Sequence, residues 1–375
     1  GLVVDQFRWY AEEARRIYGC LIESRVPGGR FEVHHVPVGV VAAFTAWNFP
    51  AALIARKVAP ALAGGCSIVL RPSSQTPGVA MVLIDCLRAG NLPDGVVNLV
   101  VGPTANTYAP IMAARSVRKV SLTGSIRVGQ KMIRDAADTV KKVSMELGGN
   151  APMIVFEDAQ LEAVLDATVP AKFANCGQVC VTPDRIFVHD SLHDSFVEGF
   201  AARAGALILG DGLVPKVQMG PLINAGSLEA AEKVISGAIS DGATRVAGGK
   251  RPSQFNAGHF LQPTVLANVS DASRVFAEEN FAPIAAIAQF SEDDEALSRA
   301  NASDMGLSAY AFTTSAHRAR RAVAELNAGM VGINSFALAA SEAPFGGTNF
   351  SGLGREGGSE GIRDYHDTKL AQVVL

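Results

Sequence analysis

The chain is predicted to fold as an α/β protein with two parallel-sheet units. Three observations carry this: strand-like and helix-like segments alternate along the first half, the alternation begins again after Gly149, and 375 residues that are 48% hydrophobic and 18% charged suffice for a sizeable core. The length suits two or three domains.

Residues 5–18 read as an amphipathic helix, and 21–36, with Pro27, Gly28 and Gly29 at the turn, as a two-stranded hairpin. Strand-like stretches at 36–46, 67–70, 96–101 and 119–122 alternate with helix-like stretches at 51–63, 77–89, 104–114 and 127–137. That rhythm argues a parallel sheet with helices on both faces. In the second half, strands are expected at 153–156, 185–188, 264–269, 310–313 and 331–334. Helices are expected at 159–173, 192–207, 225–239, 293–300 and 316–326.

Charge argues against a polyanion partner. Lysine and arginine number 33 against 36 acidic residues, the net charge is −3, and the cluster Arg318, Arg320 and Arg321 reads as the solvated face of a helix. Nucleic acid is therefore not an expected partner. Neither is a membrane, because the longest apolar runs are broken by Lys57, Pro60 or Gly64 before reaching spanning length. Five cysteines without a paired framework fit a reducing cytoplasm, and the seven scattered histidines give no metal site.

The segment Phe173-Ala-Asn-Cys-Gly-Gln-Val-Cys-Val181 places Asn175, Gly177 and Gln178 just before a cysteine with no disulfide or zinc partner at standard spacing. A thiol that is partly exposed and ionised is a nucleophile, and a glycine turn lets backbone N–H groups approach the oxygen of the attacked carbon. Cys180 is thus a candidate nucleophile, against the plain reading of a buried structural cysteine. Two further apolar strands end in polar residues: Asn48, in Val40-Val-Ala-Ala-Phe-Thr-Ala-Trp-Asn-Phe-Pro50, is placed to donate to an oxyanion, and Glu146, in Val143-Ser-Met-Glu-Leu-Gly-Gly149, to activate water. Singly, Asn48 also reads as a helix cap and Glu146 as a solvated or salt-bridged carboxylate. No Gly-x-Gly-x-x-Gly occurs; Gly124-Ser-Ile-Arg-Val-Gly129 instead joins a strand to a helix whose N-terminus can face a diphosphate, or is a plain strand-to-helix turn.

Taken together, these segments resemble the aldehyde dehydrogenase superfamily, in which W-N-F-P, E-L-G-G and G-Q-x-C segments occur in this order. The resemblance runs over the whole chain and is strengthened by Lys57-Val-Ala-Pro-Ala-Leu-Ala-Gly-Gly-Cys66, Leu122-Thr-Gly-Ser125, Glu278-Glu-Asn-Phe281, Pro344-Phe-Gly-Gly347 and Ser351-Gly-Leu-Gly-Arg-Glu356. It implies a Rossmann-like parallel-sheet cofactor domain, a second α/β catalytic domain and a small β element for oligomerisation. The expected boundaries are a helix and hairpin over 1–36, an NAD(P)-binding domain over 37–147, a catalytic domain over 148–352, and a C-terminal segment with an oligomerisation strand over 353–375. By the same resemblance Gly1 falls roughly a hundred residues into the family chain, as in a fragment or a naturally short member.

The chemistry implied is NAD(P)-dependent oxidation of an aldehyde to an acid. Cys180 attacks the aldehyde, Asn48 and a backbone N–H hold the resulting oxygen, and Glu146 activates water to hydrolyse the thioester. The implied cofactor contacts are Trp47, Gly124 and Ser125, with Arg71 and Ser74 at the adenosine ribose and Glu279 and Phe281 at the nicotinamide ribose. Ser74 stands where many NAD-preferring members carry a glutamate, and Arg71 where a lysine is usual, so NADP is expected to be accepted as well as NAD; Arg71 also reads as a surface ion-pair residue.

Within the superfamily the closest likeness is to succinate-semialdehyde dehydrogenases, with Arg56 matching an arginine that holds the substrate carboxylate. A second such arginine is replaced by Ala174, and a second cysteine two positions after the nucleophile by Thr182; Cys176 is a possible substitute thiol. The hairpin and the C-terminal strand 368–375 imply a homo-oligomer, dimer or tetramer. The alternatives are another aliphatic or aromatic aldehyde, acylating chemistry with coenzyme A in place of water, and a catalytically silent binding or structural protein of the same fold. Intact Cys180, Glu146, Asn48 and Glu279 argue against the last.

Overall fold

The computed structural model describes residues 1–375. The chain forms two compact units, one of Gly1–Leu147, Ala339–Gly346 and Gly352–Leu375, the other of Gly148–Leu338 and Gly347–Ser351.

The sheet of the first unit runs Gly352–Leu353, Lys142–Glu146, Val117–Thr123, Val40–Phe44, Ser67–Arg71, Val97–Leu99. Its first pair is antiparallel and the rest are parallel. The chain enters at Val40–Phe44, winds outward through Ser67–Arg71 and Val97–Leu99, then crosses back to Val117–Thr123 on the other side. That reversal makes the carboxyl ends of Val40–Phe44 and Val117–Thr123 a topological switch point, where α/β sheets receive ligands. Strand alternation builds a core on each face: Val41 and Ala43 join Ile54, Ile68 and Leu70 on one, and Ala42 and Phe44 join Val120, Leu122 and Met132 on the other.

A three-stranded antiparallel sheet belongs to the same unit, with Gly29–Pro37 between Cys20–Glu23 and His366–Val374. The hairpin and terminal strand expected from the sequence are both present. The strand expected over 36–46 is two: Pro37 ends the antiparallel ribbon, and Val40 starts the parallel sheet after a break at Val38 and Gly39. The first helix, Leu2–Glu13, begins and ends earlier than expected and closes in a single 3₁₀ turn, Ala14–Arg16.

The second unit has a sheet ordered Thr244–Ala247, Thr264–Ala267, Ile284–Phe290, Pro183–His189, Ala151–Val155, Ser308–Phe312, Met330–Ile333, parallel except for its first pair. Ile284–Phe290 is central to it and lies outside the expected strands. Its alanine-rich apolar run carries no alternation, because a parallel strand covered on both faces needs none. Of the arginines expected on a solvated face, Arg320 is exposed, whereas Arg318 and Arg321 are partly buried hubs. Arg318 bonds Glu157, Asp158 and Asp293, and Arg321 bonds Asp294 and Glu325. No helix is long and apolar enough to cross a membrane.

Candidate active site

In the first unit, the candidate residues follow the carboxyl ends of neighbouring parallel strands. Trp47 and Asn48 lie in the bend after Val40–Phe44, just before helix Pro50–Ala63. The N-cap of that helix is Phe49, so the reading of Asn48 as a helix cap does not hold. Arg71 closes its strand and donates to the Thr104 hydroxyl and the Gly102 carbonyl rather than to an acid; Ser74 is exposed in the following turn. Gly124 and Ser125 join Val117–Thr123 to helix Ile126–Ala137. The Ser125 side chain makes no cap hydrogen bond to the first-turn amides of the helix.

Glu146 ends Lys142–Glu146 and is 3% exposed, with the Thr123 hydroxyl donating to its Oε2 at 3.3 Å. Burial pushes its carboxyl up to about 7; the charge of Glu356 adds to the rise, and Arg56 and Lys57 oppose it. Glu356 lies against the ammonium of Lys57, which donates to its Oε1 and to Ser121 Oγ at 3.1 Å. Burial disfavours the Glu356 carboxylate too, yet the Lys57 and Arg56 charges hold it below its ordinary range. The two glutamates therefore sit at opposite ends of the titration scale, one poised near neutrality and one ionised. Arg56 is 4% exposed, its guanidinium 3.9 Å from the Phe345 ring centroid.

In the second unit, helix Leu161–Phe173 stops seven residues before Cys180, and the chain then holds three left-handed residues in succession, Asn175 (φ 48), Cys176 (φ 59) and Gly177 (φ 70). Glycine is required at 177, because a Cβ there would stand 2.1 Å from the Ala282 carbonyl oxygen. Gln178 is 2% exposed; its amide donates to the Asn175 carbonyl at 2.9 Å and accepts from the Ile223 N–H at 2.9 Å. A turn follows, closed by the Thr182 N–H on the Val179 carbonyl at 3.2 Å, with Cys180 and Val181 as its central residues.

The turn is tied to the structure below it. The Thr182 hydroxyl donates to the Ala171 and Lys172 carbonyls, and Lys172 Nζ meets Asp184 Oδ1 at 2.6 Å in a pair 0% and 2% exposed. Cys180 is half-buried and in no disulfide. Cys176 is buried, which pushes its thiol up to about 12 and makes it a poor substitute redox partner.

Gly148 and Gly149 are explained by close approach. A Cβ at 148 would stand 2.2 Å from Glu279 Oε2, and one at 149 would stand 2.6 Å from the Cys180 carbonyl oxygen. The Gly149 N–H donates to Glu279 Oε1 at 3.2 Å. Burial pushes the Glu279 carboxyl up to about 8, with the Asp184 charge adding to it and the Gly149 N–H opposing. Phe281, two residues on, holds a left-handed φ of 47, a strained conformation that recurs at ligand sites.

Cys180, the Glu279–Phe281 loop and Gly148–Gly149 precede the adjacent strands Pro183–His189, Ile284–Phe290 and Ala151–Val155. The second unit thus gathers its candidate residues at the amino ends of its sheet, opposite to the usual rule for parallel sheets. Sequence reading missed Glu356, Lys57 and Asp184 as neighbours of the candidate groups. The first two lie inside the quoted segments but 299 residues apart, a separation across which only folding reveals a pair.

The chain thus combines a doubly wound α/β unit with a second parallel α/β unit that carries Cys180. The chain belongs to the aldehyde dehydrogenase family, whose model matches residues 1–371, and it is an oxidoreductase acting on aldehydes. It is 45% identical over 362 residues to a 3-sulfolactaldehyde dehydrogenase of Pseudomonas putida, covering 96% of this chain and 74% of that protein. It is 42% identical over 361 residues to a succinate semialdehyde dehydrogenase of Acinetobacter baylyi, with the same coverage of 96% and 74%. The solved structure of an NADP dependent enzyme of E. coli superposes with a TM-score of 0.97 at 40% identity, over 100% of this chain and 77% of that one.

Proposed function

We propose that the chain oxidises a short aldehyde bearing an anionic group, succinate semialdehyde or a similar carboxylate-bearing aldehyde, to the acid with NAD or NADP. The observation that carries the reading is Cys180 at the centre of a stapled turn whose backbone lies against Gly149. The half-buried thiolate of Cys180 attacks the aldehyde carbon, and Asn48 donates to the oxygen that becomes negative. A nicotinamide cofactor, when bound, supplies the acceptor for the hydride that leaves the thiohemiacetal. Glu146, with its proton affinity near neutrality, takes the proton of the water that hydrolyses the thioester.

The residues present fit such a cofactor. Helix Ile126–Ala137 offers first-turn amides without a side-chain cap at the switch point of the first sheet, next to Gly124 and Ser125. Arg71 presents a guanidinium suited to a 2′-phosphate, and Ser74 adds no repelling charge, which supports acceptance of NADP. Trp47 follows the same switch-point strand, while Glu279 and Phe281 would hold the nicotinamide ribose. Arg56 supplies the positive charge on which a substrate anion would rest, a charge it shares with Glu146 and Glu356.

Reduced nicotinamide is followed at its absorbance band with succinate semialdehyde and uncharged aldehydes of equal length, once with NAD and once with NADP. Turnover is expected to fall when the acid group is removed, and Cys180→Ala is expected to show none. Full activity of Cys180→Ala would remove the nucleophile; equal rates on charged and neutral aldehydes would remove the substrate class. A homo-oligomer is also proposed, through the three-stranded sheet whose Leu21, Ile22, Leu370 and Val374 are exposed. Light scattering that gives a monomer mass would refute it.

A further inference from the structure

Strand Ser308–Phe312 lies in the second sheet between Ala151–Val155 and Met330–Ile333. Tyr310, in its middle, is 0% exposed; its ring rests on Phe336 with 4.6 Å between centroids, and its hydroxyl donates to the Val181 carbonyl at 2.7 Å. A phenylalanine would fill the same space without a polar atom to satisfy, so the hydroxyl is retained at the cost of desolvation. Its acceptor belongs to the residue after Cys180, inside the turn that presents the thiol. Thr182 fastens the far side of that turn to the helix before it, and Tyr310 reaches it from a strand 129 residues on.

We propose that Tyr310 is a positioning residue for the nucleophile, fixing the Val179–Thr182 turn so that the Cys180 thiol has one orientation. This rests on the reading of Cys180 as that nucleophile. The turn has neighbours on both sides: Gly149 admits the Cys180 carbonyl from one direction, and Tyr310 pins the Val181 carbonyl from another. Burial holds the phenol in its neutral, donating form, as the role needs, with a Ser308 contact opposing it. Without the hydroxyl the ring still packs, but the turn loses a fixed point and samples orientations in which sulfur and aldehyde carbon are not aligned.

The test compares Tyr310→Phe with Phe336→Leu in the full chain. Tyr310→Phe removes only the hydroxyl, and Phe336→Leu loosens the packing while keeping it. For each, kcat and KM are measured, together with the melting temperature and the rate of Cys180 alkylation by iodoacetamide across pH, read by peptide mass spectrometry. The expected result for Tyr310→Phe is kcat lower by about tenfold with KM unchanged and an altered alkylation profile. Phe336→Leu is expected to lower the melting temperature and leave the alkylation profile in place. Wild-type kcat and alkylation in Tyr310→Phe, or losses that merely track the melting temperature in both variants, would overturn the proposal. Alkylation does not depend on the aldehyde chosen, so a wrong substrate class leaves this comparison intact. An active Cys180→Ala variant would instead remove the proposal together with its premise.

Discussion

Glu356 accepts a hydrogen bond from the Lys57 ammonium where Lys57 is 0% and Glu356 9% exposed, and this pair sets the electrostatics around Glu146. The negative member raises the proton affinity of Glu146 and the positive member lowers it. Glu356→Gln leaves only the lowering partners, Arg56 and Lys57. The ascending limb of thioester hydrolysis is therefore expected to move from about 7 to lower pH, measured by single-turnover kinetics. The same variant strands a buried ammonium and should lose about 3–5 kcal/mol of stability in chemical denaturation. A limb that stays where it was would remove Glu146 as the base.

Two buried carboxyls make stability depend on pH with a defined sign. Glu146 and Glu279 titrate at about 7 and about 8 in the folded chain against an ordinary 4.5. Their contribution is fully present below about 4.5 and is lost as pH rises through those values. Glu146→Gln and Glu279→Gln should each gain stability relative to the parent as pH rises across this window. Melting curves whose difference from the parent is flat in pH would show that these groups are not buried as described.

Gly149→Ala places a methyl group where the Cys180 carbonyl oxygen stands, 2.6 Å away. The turn must shift by a sizeable part of an ångström, and misplacement on that scale costs on the order of 100-fold in rate. The expected outcome is a drop of about that size in kcat with cofactor binding retained, checked by steady-state kinetics and by fluorescence titration of the cofactor. Parent-level kcat would mean that the turn does not present the reacting thiol.

Arg71→Glu reverses the charge beside Thr104 and Gly102. If the guanidinium receives a 2′-phosphate, the ratio of kcat/KM for NADP over NAD should fall by at least about tenfold, the equivalent of one charge-assisted hydrogen bond. An unchanged ratio assigns Arg71 to holding its own loop.

Lys172→Met removes the partner of Asp184 beneath the Val179–Thr182 turn. A buried carboxylate left alone costs about 3–5 kcal/mol, so the variant should unfold at lower denaturant. The double variant with Asp184→Asn should recover part of the loss, as a thermodynamic cycle will measure.

The first sheet was legible because its strands alternate with helices, a pattern that survives without tertiary information. Cys180, Glu146 and Asn48 were legible as candidates because a lone thiol after a glycine-containing turn, and an acid and an amide following apolar strands, are residue types suited to chemistry. Ile284–Phe290 was not, since a strand buried on both faces shows composition but no period. Neither was the Glu356–Lys57 pair, nor Asp184 beneath Glu279, because electrostatics between residues remote in sequence becomes visible only once the chain has closed. Tyr310 looked like any aromatic in a strand; only its acceptor makes it distinctive.

The left-handed run at Asn175, Cys176 and Gly177 makes the stretch from Phe173 to Cys180 a strut of fixed length. Three successive residues turn the backbone in the left-handed sense, and Gln178 is clamped from two sides. Inserting or deleting one residue there would rotate the thiol away from its turn rather than lengthen a loop. Engineering of this chain toward new aldehydes must therefore recruit diversity from side chains around the strut and leave its residue count alone.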